Sequence, residues 1–130
     1  MFRLLLLALF VTLLAGCGGY AERKKEMVLE STLSQYRTAM RWGHWESLLG
    51  MRASKAPALP EFDRDNVRVT GYEILRPPLP VDEGKVLQEV EIQYVLQDSQ
   101  RVRRLREKQE WRHDEESKEW RIYSPFPNFR

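Results

Sequence analysis

Cysteine occurs once in these 130 residues, at Cys17, and histidine twice, at His44 and His113. A disulfide needs two thiols and a structural zinc site needs four ligands, so neither can staple this chain. Net charge is nearly absent too. The 21 Lys+Arg are balanced by 19 Asp+Glu, and a formal +2 gives no bulk attraction for nucleic acid. No apolar run is long enough to cross a hydrocarbon core of ~30 Å, because the longest, Leu4 to Leu14, reaches only about 17 Å as a helix. Neither histidine has a Ser, Cys or second His at useful spacing, so a nucleophilic triad has no support. The sequence therefore assigns no catalytic residue, no metal and no cofactor. Its length accommodates one domain.

What is present begins with the first residues. Met1-Phe2-Arg3 is a short positive start, Leu4 to Leu14 is apolar apart from Thr12, and small residues surround Cys17, the layout of a secretory signal. Leu14-Ala15-Gly16-Cys17 resembles the lipobox of bacterial lipoproteins, in which the signal is cut before a cysteine that is then acylated. The resemblance implies a leader over 1–16, a lipidated tether over 17–21 and a domain over 22–130. Cys17 is then the lipidation site, and its acyl chains hold the bilayer at ~0.8 kcal/mol per buried CH₂. Gly18 rather than Asp after the cysteine implies, by the same resemblance, the outer membrane, with the domain facing the periplasm. The rival is ordinary secretion with cleavage near Gly16 or Gly18, which leaves an unpaired thiol in an oxidising compartment.

Glu22 to Trp42 contains no Pro or Gly, and Leu29, Leu33, Tyr36 and Met40 recur at helical spacing. Gly43 is placed to end that helix, and His44 to Leu49, closed by Gly50, predicts a second short one. Tyr36, Trp42 and Trp45 are read as core, and Arg23, Lys24 and Lys25 as a solvated face near the bilayer. Met51 to Asn66, with Pro57 and Pro60, is a loop with a possible short edge segment. From Val67 the period becomes two. Val67 and Val69 have opposite parity to Tyr72 and Ile74, which predicts a bulge near Gly71, and Arg76-Pro77-Pro78-Leu79-Pro80 predicts the end of that strand.

Val86 to Leu96 alternates cleanly, with Val86, Val90, Ile92, Tyr94 and Leu96 on one face. The basic run Arg101 to Arg112 then fits a hairpin partner better than a nucleic-acid surface. A turn at Asp98-Ser99 sets Ile92 against Leu105 and Val86 against Trp111, while Glu91 meets Arg106 and Glu89 meets Lys108. A second turn, at Glu115-Glu116, sets Trp111 against Trp120, Gln109 against Ile122, Arg112 against Glu119 and Glu110 against Arg121. Both tryptophans are expected to pack on Leu33 or Tyr36. His113, beside that turn, is expected to be solvated, and His44 to be a cap or surface residue.

A helix, a helical turn, a loop and four antiparallel strands resemble, in this order, the NTF2-like, cystatin-like α+β fold. Tyr36 to Glu46 is similar to that family's first-helix pattern, and Trp111 to Ile122 followed by Pro125 to its closing hairpin. The resemblance implies an N-terminal helix packed on a curved antiparallel sheet of about four strands, around a cavity that some members use. Members resembling ketosteroid isomerase carry a helix-1 tyrosine matching Tyr36, together with a carboxylate base. The segment Met51 to Ala56 offers neither Asp nor Glu for that role. The residues expected to line any cavity are Tyr36, Tyr94, Glu107, Gln109, Trp111 and Trp120. Glu107 either meets a cation or hydroxyl or faces open space, because a buried carboxylate without a partner is costly. The resulting expectation is a non-enzymatic envelope lipoprotein, bound to the bilayer through Cys17. Its domain acts as a binding or assembly module for an envelope protein partner, with a small-ligand carrier using the inner cavity as the first alternative and a degenerate isomerase- or dehydratase-like enzyme as the second.

Overall fold

The computed structural model describes the backbone of residues 2–130 and side chains from residue 18 onward. The acylation of Cys17 and the cleavage of the leader thus lie outside the described residues. Helix α1, Phe2–Trp42, leads into helix α2, Trp45–Gly50, and a 3₁₀ turn at Arg64–Asn66. Four strands follow: β1 Val67–Asp82, β2 Lys85–Leu96, β3 Val102–His113 and β4 Trp120–Ile122. They form one antiparallel sheet in the order β1-β2-β3-β4, and α1 packs across it. The fold is α+β: an N-terminal helix on an open, curved, four-stranded antiparallel sheet.

Helix α1 runs straight through Gly18 to Ala21, the stretch expected as a tether. Its end is a complete Schellman motif. Gly43 sits at φ 67, His44 N donates to Ala39 O at 2.8 Å, and Gly43 N reaches Met40 O at 3.4 Å. Leu29 and Leu33 are half-buried and Tyr36 and Met40 fully buried, so the expected stripe is the packing face. Trp42 is a correction to the expected aromatic core. It is 73% exposed, the last residue of the helix, with Arg41 over its ring at 6.0 Å.

The first hairpin has the expected register: Ile92 opposite Leu105, Val86 opposite Trp111, Glu91 opposite Arg106 and Glu89 opposite Lys108. Its loop is wider than two residues, because Gln97 N donates to Asn66 O and Gln100 turns at φ 54. The bulge near Gly71 is present, between the Val69–Tyr94 and Gly71–Gln93 pairs. A Cβ at Gly71 would lie 3.2 Å from Cβ of Gln93, so glycine is what lets the two strands approach.

Two expectations fail here for physical reasons. Arg76 to Pro80 does not end β1. The strand continues to Asp82 with register shifts either side of Arg76, which is possible because β1 is an edge strand whose outer N–H groups need no partner. The second hairpin is shifted by two residues, pairing Trp111 with Ile122, Arg112 with Arg121 and His113 with Trp120. Turn chemistry decides this. Asp114 accepts from Glu116 N at 2.9 Å, and Lys118 takes φ 60 and donates its N–H to Asp114 O at 2.8 Å, closing a wider loop. The free edge of β4 is covered by the 51–66 loop, where Ala53 N donates to Ile122 O and Ile122 N to Met51 O.

Candidate functional site

Between α1 and the sheet lies a cluster of polar side chains in an otherwise apolar core. Helix packing brings Tyr36 over β3, where the strand alternation turns Glu107, Gln109 and Trp111 inward together. Tyr36 Oη donates to Glu107 Oε2 at 2.7 Å. Gln109 Nε2 donates both to Glu107 Oε1 at 2.5 Å and to Tyr72 Oη at 2.9 Å. Its Oε1 accepts from Trp111 Nε1 at 3.0 Å and from Gln88 Nε2 at 3.2 Å. Both protons and both lone pairs of the Gln109 amide are thus engaged, which leaves one orientation for that side chain. Tyr36 and Trp111 meet edge to face at 5.3 Å.

The electrostatics follow from this burial. Removal from water pushes the Glu107 carboxyl up to about 7, although bonds from Tyr36 and Gln109 and the Arg52 charge pull it back. Burial also pushes the phenols of Tyr36 and Tyr72 up, and the Glu107 charge adds to both shifts. Glu107 therefore meets a hydroxyl and an amide, the first of the two arrangements its burial allows. At 1% exposure for Tyr36 and 4% for Glu107, a substrate carbonyl cannot reach the pair while the core is closed.

Not every residue expected at a cavity belongs to this cluster. Tyr94 sits at the far end of the sheet, edge to face with Phe129 at 5.0 Å, where its Oη donates to Arg130 O at 3.0 Å. There Trp45, Phe62, Phe126 and Phe129 form a second aromatic core that the sequence reading did not anticipate. The closely spaced phenylalanines of Tyr123-Ser124-Pro125-Phe126-Pro127-Asn128-Phe129 were its available signal. Trp120 lies at the opposite end. Its ring meets His113 at 5.2 Å, and its Nε1 donates to Lys25 O at 3.2 Å.

His113 is a further correction. Its side chain is only 5% exposed, tucked under Trp120 and in contact through Nδ1 with Glu115 Oε1 at 3.2 Å. Glu115 also receives Lys25 at 3.2 Å and Lys118 at 3.4 Å, and these partners, Lys25 foremost, hold its carboxyl near 2. Lys25 is thereby docked on the sheet rather than solvated. His44 occupies the N-cap position of α2 without a side-chain cap bond.

Gln88 was missed as a member of the buried cluster. The register that places Ile92 opposite Leu105 also places Gln88 opposite Gln109, so its inward position was readable. Its Oε1 has no hydrogen-bond partner, an omission that costs about 1–3 kcal/mol.

No family model matches the chain, and no curated protein matches it. Among the described residues no helix is long and apolar enough to cross a membrane, and no group of three His, Cys, Asp or Glu is placed to hold a metal ion.

Proposed function

We propose that this chain is a lipoprotein of the bacterial envelope. Acylated Cys17 holds it on the outer membrane, and its NTF2-like domain faces the periplasm as a non-enzymatic binding or assembly module. The observation that carries the choice of module over inner-cavity carrier is the closed hydrogen-bond set around Gln109. A carrier or an isomerase needs free space and free polar groups beside Tyr36 and Glu107. These two groups are bonded to each other and sealed from solvent. Support for the anchor comes from the lipobox-like run Leu14-Ala15-Gly16-Cys17.

Two measurements in intact cells test the reading. A clickable fatty acid should label the wild-type chain in the dark and leave Cys17→Ser unlabelled. Proximity crosslinking from the outer face of the sheet should then capture a discrete envelope protein. Absence of label on the wild type sinks the anchor. Turnover of an enone or ketosteroid that Tyr36→Phe abolishes sinks the non-enzymatic module.

A further inference from the structure

The outer face of the sheet carries a groove of about 910 Å³ that reaches, between β1 and β2, the strand positions of the inward-facing Gln88 and Gln109. It opens where β1 loses step with β2. Between the pairs Arg76–Glu89 and Leu79–Leu87, Pro77 and Pro78 lie opposite Gln88 alone, a bulge in β1. Pro77, Pro78, Leu79 and Leu87 supply an apolar floor and lip, with Leu79 62% and Leu87 41% exposed. Apolar side chains gathered in one solvent-facing depression, rather than scattered, mark a binding surface.

Its rim is basic. Glu89 is shared by Arg76 at 3.5 Å and Arg106 at 3.8 Å, whereas Glu110 is held by Lys85 at 2.8 Å and Arg112 at 2.9 Å. Lys108, on the same rim, has no carboxylate within ion-pair distance among the described residues. Two carboxylates thus stand among the groove's three cations, one of them unpaired, so an occupant gains by bringing one negative charge. The groove also offers a polypeptide little. Its floor is made by β2 and β3, whose backbone groups are paired in the ladder, and by two prolines, which have no N–H. A peptide laid there would desolvate its own amides without partners, whereas an alkyl chain has none to lose.

We propose that this groove binds one fatty-acid molecule. Its alkyl chain lies along Pro77, Pro78, Leu79 and Leu87, and its carboxylate sits among Arg76, Arg106 and Lys108. Guanidinium groups suit a carboxylate because their paired N–H groups match its two oxygens. This site is separate from Cys17 and does not depend on the anchor.

A photoreactive, clickable long-chain fatty acid fed to cells making the full chain tests it. An acyl chain on Cys17 would carry the same photoreactive group, so the adducts are read in the full Cys17→Ser chain, where only an unattached fatty acid can form them. Mass mapping should place those adducts on peptides containing Leu79 or Leu87. Arg106→Glu with Lys108→Glu, both exposed positions, should lower their yield roughly tenfold, and Leu87→Asp should remove them. Adducts confined to other segments overturn the proposal. So does equal labelling by an uncharged fatty-alcohol probe, or a yield unchanged in the charge-reversed chain.

Discussion

Glu107 is the residue whose chemistry is most altered by the fold. Its carboxyl is raised from the ordinary carboxylate range to about 7, so between about pH 4.5 and pH 7 the folded chain holds a proton that the unfolded chain has released. Stability from this group is complete below about pH 4.5 and declines as pH rises through 7, by on the order of 3 kcal/mol. Glu107→Gln has the neutral charge of the protonated form, its oxygen accepting from Gln109 Nε2 and its N–H meeting Tyr36 Oη, which then accepts instead of donating. Urea midpoints of the variant should therefore stay level across that window while those of the wild type fall. Glu110, Asp114 and Glu115 are shifted down, so they lose their contribution only as pH drops below the ordinary carboxylate range. Subtracting the variant from the wild type isolates Glu107. Trp111, fully buried against Tyr36, should lose about 3–5 kcal/mol on truncation to Ala, read from urea unfolding.

At the scale of elements, the two hairpins explain what the sequence could and could not reveal. Along β2 and β3 both faces carry information, apolar inward and opposite charges outward, and only one register satisfies both. Across β3 and β4 a slip of two residues keeps every side chain on its face, and β4 has only three residues to vote with. The deciding contact, Asp114 accepting from Glu116 N, belongs to the loop rather than to the alternation. The length of β1 was hidden for another reason. Prolines end a central strand, and nothing local in Arg76 to Pro80 says that this strand lies at an edge. The buried cluster was largely visible: Glu107 and Gln109 stand out as polar breaks in an apolar face and the hairpin register sets Gln88 opposite Gln109, whereas Tyr72 joins only through tertiary packing. Helix α1 yields a prediction of its own. Gly43→Ala places a side chain at φ 67, where the new Cβ touches the Trp45 ring at an ordinary 3.6 Å, so the cost is backbone strain alone. It should be about 1 kcal/mol, and Gly43→Asn should lose less.

For the molecule as a whole, the sheet has a strong centre and weaker flanks. Strands β2 and β3 pair along eleven residue pairs without a shift, whereas β1 has four shifts and β4 three pairs. Native-state hydrogen exchange should accordingly find the slowest amides in β2 and β3. Amides of Leu79 and Val81 should exchange by local opening well before global unfolding. Equal protection across β1 and β2 would contradict this ordering. The attachment of α1 has a mechanical consequence. Lys25 is gripped through its carbonyl by Trp120 and through its ammonium by Glu115, so both the helix backbone and a side chain are fixed to the end of the sheet. From Gly18 to that grip the chain is already helical, a rise of about 10 Å. A force or a fixed point applied at the start of that stretch is transmitted as through a rod rather than a string. Lys25 fixes the near end of that rod to the sheet, and breaking its grip would leave the helix held only from Val28 onward.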